Sequence, residues 1–251
     1  MDTNESEGNL IMPGSWEIHK IREERVLLGI IYSSDADVSI NYAQHMRTLQ
    51  LPPDSDFIRV GGLPYGPARN QAAKMALEKG YNLAFLDSDV RVEPDAFMRL
   101  METKLMIISG LYYQRFNPYQ PVMFNEGKDE KGTVVRIPVA GWNPGDIVPC
   151  TFVPSGLTIY RLGLLKDMFA NFPLPFMWGV DIAPVPDTNG MQAPPMSEDF
   201  TFSWRAKQLG YQPFIHTGIV GLHETRAVIG PKWMIAAPSP DPINGMIGII
   251  Q

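Results

Sequence analysis

The chain has 251 residues, of which 45% are hydrophobic, and this is enough to bury the core of one large domain. Its formal net charge of −6 and its pI near 5.2 exclude the broad cationic surface that general nucleic-acid binding requires. The single cysteine, Cys150, excludes an intrachain disulfide framework, and its apolar neighbours predict a buried structural thiol.

The sequence offers no membrane span and no targeting segment. It lacks the run of about 18 apolar residues that a transmembrane helix needs. Its first residues are polar and acidic, unlike a signal or transit peptide. We therefore expect a single domain in a reducing compartment, the cytoplasm or, for a viral chain, the host cytoplasm. Residues 1–24 are expected to form a weakly ordered arm.

Strand and helix patterns alternate through residues 25–115. Short apolar runs predict buried strands, and periodic segments with Pro at the start and Gly at the end predict helices. Such alternation predicts an α/β fold with a mostly parallel sheet and helices on both faces. The predicted strands are 26–32, 56–61, 82–86 and 105–113, and the predicted helices are 40–51, 67–79 and 95–101.

The pattern changes after Arg115, where Pro, Gly and charged residues separate shorter elements. Strands are expected at 122–124, 134–137 and 151–160, and a helix is expected from Ser197 to Leu209. The proline-rich residues 171–195 are a long loop of the kind that often carries function. Residues 224–251 show no period and are expected to be an irregular tail or a lid.

Three Asp-x-Asp motifs are candidates for a cation site, at residues 35–37, 54–56 and 87–89. The motif Asp87-Ser88-Asp89 directly follows a buried strand, at the sheet edge where open α/β folds bind ligands. Two carboxylates there are costly to bury without a cation, and a hard divalent metal prefers such oxygen ligands. The motif at 54–56 has the composition of a solvated turn.

Arg69 is a candidate phosphate-binding residue. It lies in the first turn of its predicted helix and shares a face with small residues that would pack on the sheet. The positive end of the helix dipole and a bidentate guanidinium both favour a phosphate. A surface arginine paired with an acidic neighbour is the alternative.

Glu198 and Asp199 follow the predicted N-cap Ser197. Acidic residues in a first helical turn are explained by capping and by the helix dipole. Asp199, however, shares the face of Phe202 and Ala206, whereas Glu198 is rotated by about 100° from it. An inward carboxylate at a helix start is a candidate general base.

Two of the four histidines, His216 and His223, bracket a Gly-rich apolar stretch. One imidazole beside two carboxylates would complete a ligand set suited to manganese. His223 is the first choice for this ligand and His216 the reserve. His19 and His45 are expected to be structural or solvated.

In this order, the motifs resemble the nucleotide-sugar-dependent glycosyltransferases of the GT-A fold, especially glycosyltransferase family two and its viral and microbial relatives. The resemblance runs from about residue 26 to residue 223. The QxxRW signature of processive synthases is absent. The matching segments are Ala68-Arg69-Asn70, Leu86-Asp87-Ser88-Asp89-Val90 with Glu93-Pro94-Asp95-Ala96, Ser197-Glu198-Asp199-Phe200, and His223.

The resemblance implies a GT-A (Rossmann-like) fold with a small mixed β acceptor region. Residues 25–115 would bind the nucleotide-sugar, and residues 116–223 would carry the acceptor site. The implied enzyme is a hexosyltransferase-like glycosyltransferase that uses Mn²⁺ or Mg²⁺. Its acceptor hydroxyl could belong to a glycan, a lipid-linked glycan, a protein or a small molecule.

The resemblance also implies roles for single residues. Asp87 and Asp89 would bind the nucleotide-sugar, through its ribose and through the metal on its diphosphate, with His223 as a further metal ligand. Tyr32 and Asp35, at the end of the first strand, would lie near the nucleobase. Arg69 would neutralise the diphosphate. The catalytic candidates are Glu198 and Asp199, with Asp199 the base in an inverting enzyme.

Three other functions stay open. A haloacid dehalogenase-type phosphatase also has Asp-x-Asp after a strand, but it needs a small hydroxyl residue two positions after the second Asp, where this chain has Arg91. A sugar-phosphate nucleotidyltransferase usually has a Gly-rich loop and a basic residue after its first strand, which residues 33–37 lack. A non-catalytic nucleotide-sugar-binding module would differ from a transferase only in turnover.

Overall fold

The computed structural model describes residues 24–32, 38–115, 118–132, 134–177 and 196–224, and the backbone of residues 228–229 and 247–248. Asp35, most of the predicted arm, the larger part of the proline-rich loop and most of the tail lie outside these residues. The described helices are α1 (Ile40–Thr48), α2 (Tyr65–Lys79), α3 (Ala96–Glu102), α4 (Leu162–Asn171) and α5 (Glu198–Gln208).

The strands form one large sheet and two small ones. The large sheet has the order β2-β1-β3-β9-β5-β10-β8. The bounds of the strands are β1 (Val26–Tyr32), β2 (Asp56–Gly61), β3 (Asn82–Leu86), β4 (Val90–Arg91), β5 (Ile107–Leu111), β6 (Phe124–Lys128), β7 (Val134–Pro138), β8 (Ile147–Pro149), β9 (Leu157–Tyr160), β10 (Phe214–Val220), β11 (Leu222–Glu224), β12 (Val228–Ile229) and β13 (Ile247–Gly248).

The large sheet is mostly parallel, as the sequence predicted. The strands β1, β2 and β3 are mutually parallel, β5 is parallel to β10, and β9 and β8 run against their neighbours. Five of the seven strands therefore share one direction. The four-stranded sheet β13-β12-β11-β4 and the hairpin β6-β7 supply the small mixed β region. The α/β class of the prediction is confirmed.

Alternate residues of the central strands belong to two separate cores. Along β3, Leu83 and Phe85 pack with residues of α2, α4 and α5, whereas Ala84 and Leu86 pack with residues of α1 and α3. A strand that is buried on both faces is apolar at every position, because neither face meets water. This double burial is why the short apolar runs predicted the sheet correctly.

The centre of the sheet departs from a simple βαβ succession. Antiparallel β9 lies between β3 and β5, and it is shorter than the predicted strand 151–160 because residues 151–156 form a bend and turn before it. Helix α4 occupies residues for which the sequence analysis assigned no element. Helix α1 ends at Thr48 rather than near residue 51. Among the described helices, none has both the length and the apolar character that crossing a membrane requires.

Cys150 is fully buried at the end of the β8 segment. Burial raises the pKa of its thiol to about 12, so the thiol stays protonated at neutral pH. The prediction of a structural cysteine agrees with this position.

Gly110 is a position of β5 at which the packing leaves no space for a side chain. A Cβ atom would collide with Leu157 Cδ2 and would lie 2.8 Å from the carbonyl oxygen of Ile219. Because a backbone atom cannot rotate away, we expect Gly110→Ala to lower the free energy of unfolding by about 1–3 kcal/mol in urea titrations. In the matched control Gly163→Ala, the nearest atom is the flexible Met106 Cε at 3.3 Å. Equal losses in the two variants would contradict this reading of the sheet centre.

Candidate active site

The motif Asp87-Ser88-Asp89 connects the carboxyl end of β3 to the two-residue strand β4. Leu86 is fully buried, and the carboxylates that follow it are partly exposed. The strand end that the sequence predicted for this motif is therefore the one observed. The first turns of α2 and α5 meet at the same edge, through the contacts described below.

Arg69 is buried beneath the motif and holds two carboxylates at once. Its Nε donates to Glu198 Oε1 at 3.1 Å, and its Nη2 donates to Asp87 Oδ1 at 3.1 Å. The guanidinium carbon lies 4.9 Å from the centre of the Phe85 ring, and only 4% of the side chain is exposed. Nη1 has no hydrogen-bond partner among the described residues. Arg69 thus orients Asp87 from below, and its predicted phosphate contact stays a prediction that would have to use Nη1.

Glu198 faces inward, which corrects the helical-face prediction. Its side chain is 7% exposed, whereas Asp199 is only partly buried. The prediction was wrong because α5 has no single apolar face: all residues from Phe200 to Ala206 are buried. The ion pair with Arg69 draws the Glu198 carboxylate inward. Burial and the neighbouring charge of Asp199 raise the pKa of Glu198, and Arg69 opposes them.

Backbone donors fix the carboxylate of Asp199. Oδ1 accepts from the Phe200 N–H at 2.8 Å and from the Ser197 hydroxyl, and Oδ2 accepts from the Ser155 N–H at 3.3 Å. Ser197 occupies the predicted N-cap position, but its hydroxyl donates to Asp199 instead of accepting from a helix N–H. Asp199 is therefore held in one orientation and stays partly exposed, and its role as a base stays a prediction.

The turn before β9 passes close against Asp87. The Asp87 N–H donates to the carbonyl oxygen of Gly156 at 2.9 Å, and the Gly156 N–H donates to the Tyr112 hydroxyl at 3.1 Å. A Cβ atom at Gly156 would lie 2.5 Å from Asp87 Oδ2 and 2.8 Å from Tyr112 Oη. Only glycine allows this approach. Burial, and then the charges of Asp87 and Asp199, raise the pKa of Tyr112.

Asp89 contacts a cation from the segment after β5. Arg115 Nη1 lies 2.6 Å from Asp89 Oδ2, and 51% of the Arg115 side chain is exposed. Burial raises the pKa of Asp89, Arg115 opposes the change, and the charge of Asp87 adds to it. The segment from Ser109 to Arg115, for which the sequence predicted no role, supplies both Tyr112 and Arg115 to this site.

His223, and not His216, lies beside the motif. β11 pairs with β4 so that His223 is opposite Val90. The Nδ1 of His223 is 2.7 Å from the carbonyl oxygen of Tyr113, which makes Nδ1 the donor and Nε2 the nitrogen that can accept. Burial lowers the pKa of His223, and the charge of Asp89 opposes this. The Nδ1 of His216 instead accepts from the Gly218 N–H.

The described residues at this edge carry more negative than positive charge, because five carboxylates face three guanidinium groups. Asp87 and Asp89 are each paired with an arginine. Among the described residues, no three or more His, Cys, Asp or Glu side chains are grouped so that they could hold a metal ion, so a divalent cation at this edge stays a prediction. The carboxylates are Asp87, Asp89, Glu198, Asp199 and Glu224, and the guanidinium groups are Arg69, Arg91 and Arg115.

Glu224 is a site residue that no local motif indicated. Its N–H donates to the carbonyl oxygen of Asp89 at 2.6 Å, and its Oε1 lies 2.7 Å from Arg91 Nε. It also accepts from the Ser39 hydroxyl at the start of α1. These contacts depend on the pairing of β11 with β4, two strands that are far apart in the chain. Only a prediction of that pairing could have found Glu224.

Tyr32 ends β1 at the same edge of the sheet and is partly buried. Its ring lies against Gly61, where a Cβ atom would collide with it. The nucleobase contact proposed for Tyr32 and Asp35 stays a prediction, and Asp35 is outside the described residues.

The fold has measurable similarity to solved structures, although no family model and no curated protein matches the sequence. A197 from STIV has a TM-score of 0.53 and 17% sequence identity, over 80% of this chain and 86% of that chain. TarS 1–349 from S. aureus has a TM-score of 0.45 and 12% identity, over 77% of this chain and 57% of that chain, which is too distant to support an argument. Together with the sheet order, the similarity to A197 supports the GT-A-like fold class predicted from the sequence.

The buried ion pairs of Arg69 predict a non-additive pair of substitutions. Arg69→Met leaves Glu198 and Asp87 without their cation, and we expect a loss of about 3–5 kcal/mol in the free energy of unfolding. Adding Glu198→Met removes the more deeply buried carboxylate, so the double variant should recover at least about 1 kcal/mol of that loss in urea titrations. The control Arg25→Met breaks an exposed pair with Asp54 and should change stability by less than about 1 kcal/mol. Additive losses in the double variant would contradict the buried coupling.

Proposed function

We propose that the protein is a metal-dependent glycosyltransferase, which transfers a sugar from a nucleotide-sugar to the hydroxyl group of an acceptor. The observation that carries the proposal is the convergence of Asp87, Asp89, Asp199 and His223 at one edge of the sheet, although they come from three distant segments. The GT-A-like fold supports the same class of reaction, because ligands of open α/β sheets bind at this edge.

In this proposal, Asp87, Asp89 and Nε2 of His223 would hold a Mn²⁺ or Mg²⁺ ion. When bound, such an ion would supply positive charge to the leaving diphosphate. Arg69 keeps the Asp87 carboxylate in place through its buried ion pair. Arg115 is exposed enough to exchange Asp89 for a phosphate oxygen, which accepts a guanidinium in the same geometry.

Asp199 is the proposed base for a transfer with inversion. The bond between the anomeric carbon and the donor phosphate oxygen breaks, the acceptor oxygen bonds to that carbon, and the acceptor proton goes to Asp199. The N–H groups of Phe200 and Ser155 stabilise the ionised carboxylate before the reaction. Glu198 is a positioning residue in this scheme, because its carboxylate is engaged by Arg69.

The proposal predicts donor binding that depends on Asp89. UDP-, GDP-, ADP- and CMP-sugars are tested with Mn²⁺ or Mg²⁺ for thermal stabilisation and for nucleotide release. We expect one donor to stabilise the protein, and Asp89→Asn to lower its turnover by a factor of about 100 or more. The matched control Asp54→Asn changes the exposed motif at residues 54–56 and should have no effect. The absence of any stabilising donor, or normal turnover in Asp89→Asn, would overturn the proposal.

A second prediction separates a base from a helix cap at Asp199. In Asp199→Asn the amide oxygen can replace Oδ1 and keep the bond from the Phe200 N–H, whereas the amide NH2 in the place of Oδ2 cannot accept from the Ser155 N–H. The loss of that one 3.3 Å bond should lower the free energy of unfolding by about 1–3 kcal/mol and leave donor binding largely retained. The amide cannot accept the proton, and transfer should fall by a factor of about 100 to 10,000. Circular dichroism melts, donor titrations and product assays measure the three quantities. A large loss of stability with transfer retained would assign Asp199 to capping alone.

A further inference from the structure

Tyr42 brings a buried hydroxyl group without a partner to the candidate donor site. The residue lies in α1 and is 3% exposed. Its hydroxyl oxygen forms no hydrogen bond with any of the described residues. Buried hydroxyl groups are almost always paired, because an unpaired one has lost its bonds to water without replacement. An unpaired one at a ligand site therefore indicates a bond that the ligand completes.

The side chain of Tyr42 packs in one core with Leu86 and Val90, which flank the motif Asp87-Ser88-Asp89. Burial raises the pKa of its hydroxyl, and the charges of Asp87, Asp89 and Glu224 raise it further. The hydroxyl therefore lies beside the motif, forms no hydrogen bond with the described residues, and keeps its proton at neutral pH. The ring of His45 also lies near Tyr42, with 6.3 Å between the two ring centres.

Tyr42 is held in this position by hydrogen bonds of the residues that precede and follow it in α1, Ser39 and His45. The Tyr42 N–H donates to Ser39 Oγ at 2.9 Å, and Ser39 donates to Glu224 across the site. On the next turn, His45 Nε2 accepts from the Val92 N–H at 3.4 Å. These bonds connect α1 to β11 and to the end of β4. The direction of the Tyr42 ring is therefore preorganised.

The chemistry of these neighbours selects the ligand group. The phenol of Tyr42 can donate, whereas the carboxylates of Asp87, Asp89 and Glu224 can only accept. A sugar hydroxyl satisfies both, because it accepts from Tyr42 and donates its own proton to a carboxylate. A phosphate oxygen could accept from Tyr42, but it carries no proton to donate to a carboxylate, so it satisfies only one of the two groups.

We propose that Tyr42 binds a hydroxyl group of the nucleotide-sugar, on the ribose or on the transferred sugar, an inference that rests on the proposed function. Tyr42 is then a binding residue of the donor site that selects hydroxylated donors. Neither the Asp-x-Asp motif nor the helix patterns of the sequence indicate it.

The test is the variant Tyr42→Phe, which removes only the hydroxyl group. Its affinity and that of the unmodified protein are measured by calorimetry for UDP, GDP, ADP and CDP with Mn²⁺, and for the corresponding nucleotide-sugars. We expect Tyr42→Phe to bind the preferred ligand about five- to tenfold more weakly. The melting temperature of the free variant should be unchanged or higher, because no protein hydrogen bond is lost. Tyr81→Phe, at the opposite end of β3, is the matched control and should bind normally.

Two comparisons identify the source of the hydroxyl. For a ribose hydroxyl, the 2′-deoxy or 3′-deoxy nucleotide should lose the same factor with the unmodified protein and nothing further with Tyr42→Phe. For a hydroxyl of the transferred sugar, Tyr42→Phe should weaken the nucleotide-sugar and leave the free nucleotide unaffected. Either result supports the inference.

Other results overturn it in distinguishable ways. Equal affinities of Tyr42→Phe and the unmodified protein for every ligand that binds would assign the hydroxyl to a buried water, while the proposed function stands. A large fall in the melting temperature of free Tyr42→Phe would reveal a partner within the protein. If the unmodified protein binds none of the nucleotides or nucleotide-sugars, the inference and the proposed function fail together.

Discussion

The candidate site depends on one buried cation, the guanidinium of Arg69. It joins α2 to the end of β3 through Asp87 and to the start of α5 through Glu198, and it lies against the ring of Phe85. Taking a guanidinium out of water is costly unless acceptors replace its hydration, and for Arg69 the acceptors are two carboxylates. The two carboxylates are therefore a condition for burying Arg69, and Arg69 in turn fixes where both carboxylates point.

Around Arg69, the site combines ion pairs that stay formed with an ion pair that can exchange its partner. Arg69 is inaccessible and permanently engaged, whereas Arg115 is half exposed and forms an ion pair with the outer carboxylate, Asp89. Exposed ion pairs are weak, so Asp89 can change its partner at little cost, while Asp87 cannot leave Arg69 without exposing a buried charge. This division lets the edge of the sheet accept a charged ligand without rearranging its base.

Much of the fold and part of the site could be predicted from the sequence, because they rest on local patterns. A strand that is buried on both faces, such as β3, is apolar throughout, and the position of Asp87 after it places the motif at the edge of the sheet. The motif order also led to His223. The orientation of Glu198 could not be predicted, because α5 is buried on nearly every side. The spacing of its apolar residues therefore does not indicate which face points inward. Tyr42, Arg115 and Glu224 were missed because long-range pairing and packing bring them to the site.

The central position of β9 has a consequence for the order of folding. β9 lies between β3 and β5 in the sheet, but it follows both of them in the chain. Its last residue, Tyr160, pairs with Leu83 of β3. While the chain is being synthesised, the facing edges of β3 and β5 stay unpaired until residue 160 has left the ribosome. The turn at Gly156, which touches Asp87, arrives in the same step. The pairing of β9 with β3 and β5 therefore joins two parts of the large sheet in the same step that brings Gly156 against Asp87, and a chain cut before residue 157 would leave the facing edges of β3 and β5 unpaired.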